Sequence, residues 1–246
     1  MTPAPAPAEA TPPGTIPLFA FRGIHVFLHW SWLLVAIWQI DARRGRFPHV
    51  GWDIAVYISL FAIVLLHEFG HAFATRQVGG TADRILLWPF GGIAYVKTPP
   101  RPKAYLWAIL AGPLVNVVLW PVFYFLSNYY GLHDMVTDHE LSRTIARFLR
   151  ELYVINTILI IFNLLPIYPM DGGQIFRALL WFKLGPLRSM YIAAWTGLVL
   201  GAAAVLFALI AWQAYWLAIM VGLMLQQCWA TIESLKAWRA ENGGRW

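Results

Sequence analysis

The stretch "VLLHEFGHAF", residues 64–73, places three ionisable side chains in a run of otherwise apolar or small residues. His67, Glu68 and His71 fall within five consecutive positions, one turn of a helix apart. An ionisable side chain inside a bilayer carries a large free-energy penalty, so its presence there indicates a function. The first question is therefore whether this stretch lies in a membrane.

The composition of the chain indicates a membrane protein. Hydrophobic residues make up 59% of the chain and charged residues 12%, and the mean hydropathy is +0.59, which is not the profile of a soluble domain. The net charge of +6 could indicate a nucleic-acid partner, but the basic residues lie in short loops between apolar runs, where they orient helices. A nucleic-acid role is therefore excluded. The single cysteine, Cys228, excludes a cysteine-built zinc cluster, so a metal here needs histidine and carboxylate ligands.

The predicted fold is an all-α polytopic membrane protein of about six transmembrane helices. The apolar runs predict spans at about 24–40, 52–75, 105–127, 150–166, 189–209 and 212–230. Between the second and third spans, short apolar runs with Gly and Pro predict a small β element that dips into the membrane. We expect a flexible Pro/Ala-rich tail over 1–20, one transmembrane domain over 21–232 and a short cytoplasmic C-terminal tail over 233–246.

Basic residues in the loops predict the orientation of the chain, because Lys and Arg are enriched on the cytoplasmic side. Twelve of the 18 basic residues fall on the side that holds both predicted termini: Arg22, Arg76, Arg84, Lys97, Arg101, Lys103, Arg177, Lys183, Arg188, Lys236, Arg239 and Arg245. The other six are Arg43, Arg44, Arg46, Arg143, Arg147 and Arg150. Both termini are thus predicted to be cytoplasmic, and "HEFGH" lies near the cytoplasmic end of the second span.

The spacing of the histidines indicates a metal site. Residues four apart on a helix share one face, so His67 and His71 can bind one ion, with Glu68 beside it. A catalytic zinc site needs a third protein ligand and leaves the fourth position to water. Asp171 is the outstanding candidate, because it follows the fourth span at the same membrane depth. A second pair with the same spacing, His25 and His29, lacks the glutamate and is interpreted as interfacial.

Three motifs in order resemble those of the site-2 protease family of intramembrane zinc metalloproteases. They are "HEFGH" at 67–71, "AGPLVN" at 111–116 and "NLLPIYPMDGG" at 163–173. The resemblance is to the compact six-span form, without PDZ or CBS domains. It implies one Zn²⁺ per chain, held by His67, His71 and Asp171, with Glu68 as the catalytic base.

Four further residues are predicted to support substrate or transition state. Asn163 could stabilise the oxyanion or hold substrate backbone, although a polar residue at the end of a span is an ordinary alternative. Asn116 can hydrogen-bond across helices, while Gly112 in the same motif allows close packing. Gly91 and Gly92 in "FGGIAYV" would let an unwound substrate add to an exposed edge strand, although a simple turn is the alternative.

Three classes of function remain open at this point. The favoured one is an intramembrane protease acting on transmembrane proteins; the alternatives are a divalent-metal transporter and a noncatalytic metal-binding scaffold. Glu68 discriminates between them, because hydrolysis needs a base at the metal and the alternatives do not. We expect an integral protein of a prokaryotic plasma membrane, which could bind a regulatory membrane partner or form a homo-oligomer.

Overall fold

The computed structural model describes residues 12–88, 91–137, 139–212 and 215–243. The chain is mostly helical and carries one small sheet. The strands are β1 (Thr15–Phe21), β2 (Ile24–His29), β3 (Thr81–Trp88) and β4 (Gly91–Lys97). The helices are α1 (Ser31–Ala42), α2 (Val50–Gln77), α3 (Pro102–Thr137), α4 (Glu140–Leu164), α5 (Asp171–Trp212) and α6 (Tyr215–Glu241).

The four strands form one sheet in the order β1-β2-β3-β4. The outer pairs, β1 with β2 and β3 with β4, are antiparallel, and β2 pairs with β3 in parallel. Arg22 and Gly23 have φ values of 50° and 72°, as a tight two-residue turn between antiparallel strands requires. The edge strands are β1, which carries Pro17 and a register shift beside it, and β4.

The predicted first span, 24–40, is not a single helix. Its first residues form β2, and α1 has only 12 residues, or about 18 Å of helix against a hydrocarbon core of about 30 Å. In β2, Ile24 and Val26 are buried and His25 between them is exposed, as expected on the two faces of a strand, and only Phe27 departs from this alternation by being buried as well. A hydropathy average over some twenty residues does not distinguish this alternation from a helix.

The N-terminal part of the chain also differs from the prediction. Residues 15–20, assigned to a flexible tail over 1–20, belong to β1, and residues 1–11 lie outside the described part. The fold is therefore mostly α rather than all-α. The predicted β element corresponds to β3 and β4, and these strands are half of a larger sheet that the N-terminal hairpin completes.

Within the described residues, three helical stretches are long and apolar enough to cross a membrane: Val50–Gln77, Pro102–Val136 and Asp171–Ile210. The third is interrupted at Gly185, which has a φ of 79°, so α5 is two helices joined by a kink before Pro186. The predicted spans 150–166 and 189–209 fall largely within α4 and α5, and the described part of 212–230 lies largely in α6.

Helix α2 lies between the sheet and α3, and this placement positions the site. One side of the sheet packs on α2 through a core of buried residues: Ile24, Val26, Ile85, Leu87, Val64, Phe69 and Ala72. Toward α3, a Cβ at Gly70 would lie 2.6 Å from the Ala111 carbonyl oxygen. The absence of a side chain at Gly70 thus lets the two helices approach closely, as small residues do in membrane proteins.

Candidate metal centre

The structure brings His67, His71 and Asp171 together. Each offers one ligand atom, and the three atoms lie within 4.8 Å of one another. The Nε2 atoms of the two histidines are 3.0 Å apart, and the Asp171 carboxylate lies 3.0 Å from His67 Nε2 and 3.4 Å from His71 Nε2. All three side chains are buried.

Helix α3 orients both imidazoles. The Nδ1 atom of His67 lies 2.6 Å from Asn116 Oδ1, and that of His71 lies 2.9 Å from the backbone oxygen of Ala108. Both partners are acceptors, so each Nδ1 carries the proton and each Nε2 presents a lone pair. Hydrogen bonds of this kind fix the tautomer of histidines that bind metals.

The donor set fits a cation. Two imidazole lone pairs face each other at 3.0 Å, and Asp171 Oδ2 is buried without a hydrogen-bond partner in the described part of the chain. Such an arrangement is repulsive unless a positive charge lies between the groups. Ligands at about 2.0–2.1 Å from a tetrahedral zinc ion lie roughly 3.3 Å from one another, close to the separations seen here.

Gly112 of α3 faces this cluster directly. A Cβ at Gly112 would lie 2.8 Å from His67 Nε2 and closer still to His71 Nε2. The predicted close packing of Gly112 is therefore found, and the neighbours it allows to approach are the two histidines themselves. Any side chain here would occupy space that the ligand atoms need.

The segment before Asp171 is held from three sides. Its Tyr168 carbonyl accepts a hydrogen bond of 2.8 Å from Cys228 Sγ of α6, and its Pro169 carbonyl accepts one of 2.9 Å from Gln174 Nε2 of α5. Gln174 Oε1 in turn accepts from the Tyr105 hydroxyl of α3 at 2.7 Å. These contacts fix the start of α5, at which the Asp171 carboxylate lies.

The two glycines after Asp171 allow this tight arrangement. A Cβ at Gly172 would collide with the Leu164 and Leu165 backbone, and a Cβ at Gly173 would collide with that of Ile167 and Tyr168. The first turn of α5 therefore folds directly onto the segment that precedes it. Close backbone approach therefore requires the two glycines of "DGG".

Glu68 is buried beside the ligands, between α2 and strand β4. The Ala94 backbone amide lies near its carboxylate, and a Cβ at Gly92 would collide with that side chain. Since alternate strand residues share a face, Gly92 and Ala94 both face α2. The small residues of β4 therefore let the Glu68 side chain approach the strand, and the predicted approach of a substrate backbone stays a prediction.

The other predicted site residues are placed as follows. Asn116 engages both polar atoms of its side chain within the protein, with His67 and with Asn156 of α4, and so contacts a ligand residue rather than open space. Asn163 is half-buried in the last turn of α4. Gly91 begins β4 and pairs with Trp88. Their roles toward substrate stay predictions.

The histidines outside the motif are placed away from the ligands. His25 and His29 lie in β2, and His29 Nδ1 contacts the Ser31 hydroxyl at 2.5 Å. Within the described part of the chain, only one group of three or more metal-ligating side chains comes together, that of His67, His71 and Asp171.

Sequence reasoning missed several residues that support the site. Asn156 is fully buried on α4, and its presence inside a predicted span was a usable signal. The Ala108 carbonyl and the contacts of Tyr168 with Cys228 have no signature in the sequence, because they depend on how three helices meet. Gln174 and Tyr105 are 69 residues apart in sequence, which hides their hydrogen bond in the same way.

Comparisons with known proteins agree with a membrane-embedded metal centre of this kind. The profile of peptidase family M50 matches residues 55–142 and 131–204, which include all three candidate ligands. The chain therefore belongs to peptidase family M50. It is an integral membrane protein, and the resemblance to site-2 proteases inferred from the three motifs is confirmed.

Individual relatives come from archaea and bacteria. A zinc metalloprotease of Methanocaldococcus jannaschii is 33% identical over 196 residues, which cover 80% of this chain and 54% of the relative. The stage IV sporulation protein FB of Bacillus subtilis is 30% identical over 155 residues, covering 62% of this chain and 45% of the relative. The chain thus spans about half the length of the curated relatives it matches.

A solved structure shares the fold. The site-2 protease from Methanocaldococcus jannaschii superimposes with a TM-score of 0.59 at 27% sequence identity. The match covers 87% of this chain and 94% of that one. The shared fold therefore extends over nearly the whole of the solved chain.

Proposed function

We propose that this protein is a zinc-dependent intramembrane endopeptidase that hydrolyses peptide bonds in or near the transmembrane segments of membrane proteins. One observation carries the proposal. His67, His71 and Asp171 converge beside a buried glutamate on a helix long and apolar enough to cross a membrane. The proposal gives each of the four groups a task.

The reaction adds water across a peptide bond. Bound at His67, His71 and Asp171, zinc supplies Lewis-acid chemistry, polarising a carbonyl oxygen and lowering the pKa of a water molecule to about 7. Glu68 takes a proton from the attacking water as the water oxygen bonds to the carbonyl carbon. It then gives that proton to the departing amine nitrogen as the C–N bond breaks, so Glu68 is again an unprotonated carboxylate at the end of the cycle.

Strand β4 is proposed as the surface on which the substrate unwinds and binds. A helical substrate must expose its backbone before hydrolysis, and an edge strand offers hydrogen-bonding partners to an extended chain. Of the two sheet edges, β1 is a poor partner for a further strand because of Pro17 and the register shift beside it, a common feature of natural edge strands. β4 carries no proline, and it lies against Glu68.

The finer membrane arrangement is also proposed: six crossings, with both termini in the cytoplasm of a prokaryotic cell. In this arrangement α4 and α6 cross in addition to the long helices, and β2 and α1 together make the first crossing, because α1 alone is too short. Contacts between loops predicted to share a side support it. Arg43 and Arg46 both approach Glu151, at 2.8 and 3.6 Å, whereas Arg76 binds the Arg22 and Gly23 carbonyls on the opposite side.

The experiment that tests the proposal separates catalysis from metal binding at Glu68. Glu68→Gln keeps the shape of the side chain but cannot accept the proton, so cleavage of single-span membrane proteins should fall by about 10²–10⁴-fold. Zinc content, measured by elemental analysis, should stay near one per chain. Glu233→Gln is the matched control, because Glu233 is half-exposed on α6, where it pairs with Lys236.

Two outcomes contradict the proposal. Full proteolysis by Glu68→Gln would remove Glu68 as the base. If the wild type cleaved no membrane-embedded candidate but moved zinc across vesicle membranes, the transporter alternative would replace the protease.

A further inference from the structure

Two asparagine side chains form a closed pair behind His67. Asn116 of α3 and Asn156 of α4 are both fully buried. Asn116 Nδ2 donates to Asn156 Oδ1 at 2.8 Å, and Asn156 Nδ2 donates to the backbone oxygen of Asn116 at 2.8 Å. The remaining polar atom of the pair, Asn116 Oδ1, faces His67 Nδ1 at 2.6 Å.

The direction of the Asn116 amide decides which His67 nitrogen carries the proton. An amide oxygen only accepts and an amide NH₂ only donates. With the oxygen toward His67, Nδ1 holds the proton and Nε2 is free to bind metal. A reversed amide would donate to Nδ1, which favours the tautomer with its proton on Nε2, where it obstructs the metal.

Asn156 selects between these two directions. A reversed Asn116 would place its oxygen opposite Asn156 Oδ1, so two acceptors would meet in a buried site. Asn156 cannot relieve the conflict by turning over, because its own NH₂ is held by a backbone carbonyl, which never donates. The backbone oxygen of Asn116 thus fixes the orientation of the Asn156 amide, and Asn156 in turn fixes the orientation of the Asn116 amide. The Asn116 amide then fixes the tautomer of His67.

His71 needs no such relay. Its Nδ1 faces the Ala108 backbone carbonyl at 2.9 Å, and a carbonyl accepts in either case. Of the two histidines, only His67 depends on a group that can reverse. An amide pair inside a membrane helix bundle also lacks water that could replace a lost partner.

We propose that Asn156 is a positioning residue that sets the tautomer of His67 by acting through Asn116. The inference rests on the proposed function in one respect, namely that His67 Nε2 binds the zinc ion. Asn156 lies outside the three motifs from which the family resemblance was drawn, and it touches neither the ligand atoms nor the base.

The test compares three substitutions in the full chain. Asn156→Leu keeps the size of the side chain and removes both polar groups. The neutral acid of Asn156→Asp keeps one acceptor and one donor in the same places. Thr157→Val is the control, because it removes a hydrogen bond of 3.1 Å from Trp120 Nε1 to Thr157 Oγ1, which joins the same two helices on their outer side.

Two quantities are measured on each purified variant. The first is the rate at which zinc passes to an excess of chelator, and the second is the ¹⁵N spectrum of histidine-labelled, metal-free protein. The His67 signals are identified by their loss in His67→Gln. For Asn156→Leu we expect zinc release to be about 10–100-fold faster, as is typical when a partner of a metal ligand is lost. Its His67 signals should move from the Nδ1–H pattern toward the Nε2–H pattern.

The variants Asn156→Asp and Thr157→Val should both behave as the wild type. Wild-type release and an unchanged His67 pattern in Asn156→Leu would overturn the inference, as would equally fast release in Thr157→Val, which would indicate helix packing instead. Should Asn156→Leu fail to fold, Asn156→Ala is measured with the same expectation. The spectrum of metal-free protein requires neither zinc nor proteolysis, so the tautomer result stands apart from a failure of the proposed protease.

Discussion

Adding one methyl group at Gly112 should release the metal while leaving the rest of the helix intact. In Gly112→Ala the new Cβ would lie 2.8 Å from His67 Nε2, whereas ordinary contacts begin at 3.4 Å. The Cβ and His67 Nε2 must therefore separate by about 0.6 Å, and the nearer His71 Nε2 must move by more, which exceeds the roughly 0.2 Å tolerance of metal–ligand distances.

A retreat of α3 does not relieve the clash without further loss. The same helix supplies the partners of both histidines, Asn116 Oδ1 at 2.6 Å and the Ala108 oxygen at 2.9 Å. Lengthening these hydrogen bonds by about 0.6 Å would bring the second to the limit of hydrogen bonding, near 3.5 Å. Whether the ligands turn or the helix moves, the site loses its geometry.

We therefore expect zinc affinity to fall at least tenfold in Gly112→Ala, or about 1.4 kcal/mol. The assay is chelator competition on purified protein, with zinc content measured by elemental analysis. Gly131→Ala is the matched control in the same helix, since a Cβ there meets nothing within 4 Å. Helix propensity favours alanine in both variants, so a loss confined to Gly112→Ala comes from the site. Wild-type affinity in Gly112→Ala would refute the reasoning.

Two further predictions concern the substrate and the membrane. Tyr95 is exposed on the face of β4 away from α2, so a photo-crosslinking residue in its place should capture a substrate in the Glu68→Gln background. The same residue in place of Phe19 of β1 should capture none. Equal capture at both positions would contradict the choice of β4 as the substrate-binding edge. Cysteines placed at Thr98 should react with reagents from the cytoplasm and those at Asp134 from the opposite side, and labelling of Asp134→Cys from the cytoplasm alone would overturn the six-crossing arrangement.

The convergence of the three candidate ligands could be predicted from the sequence because their chemistry is local or rare. His67 and His71 are one turn apart on α2, so their meeting follows from helix geometry alone. Asp171 is distant in sequence, but few carboxylates lie at membrane depth, and the structure brings this one to the histidines. Because an apolar chain has few charged residues, Asp171 could be selected without knowledge of the tertiary structure.

The remaining parts could not be predicted because they depend on tertiary packing. The segment 24–29 is as apolar as a helix, and only its pairing with β1 and β3 makes it a strand. Gly92 was predicted to meet substrate, but the identity of its nearest neighbour, Glu68, depends on how β4 lies across α2. The proposed role of Asn156 depends on its hydrogen bonds with Asn116 of α3, so no pattern within α4 predicts it.

The division of the ligands between α2 and α5 has a consequence for biosynthesis. His71 is made about 100 residues before Asp171, which at roughly 5–20 residues per second leaves an interval of about 5–20 s. The contact of Tyr168 with Cys228 adds a later step, because α6 follows α5 along the chain. A ribosome-bound chain therefore carries Glu68 and two of the candidate ligands in the bilayer while the candidate centre is still incomplete. For the proposed protease, this order implies that a nascent chain does not cleave neighbouring membrane proteins, itself included, before α5 and α6 have been inserted.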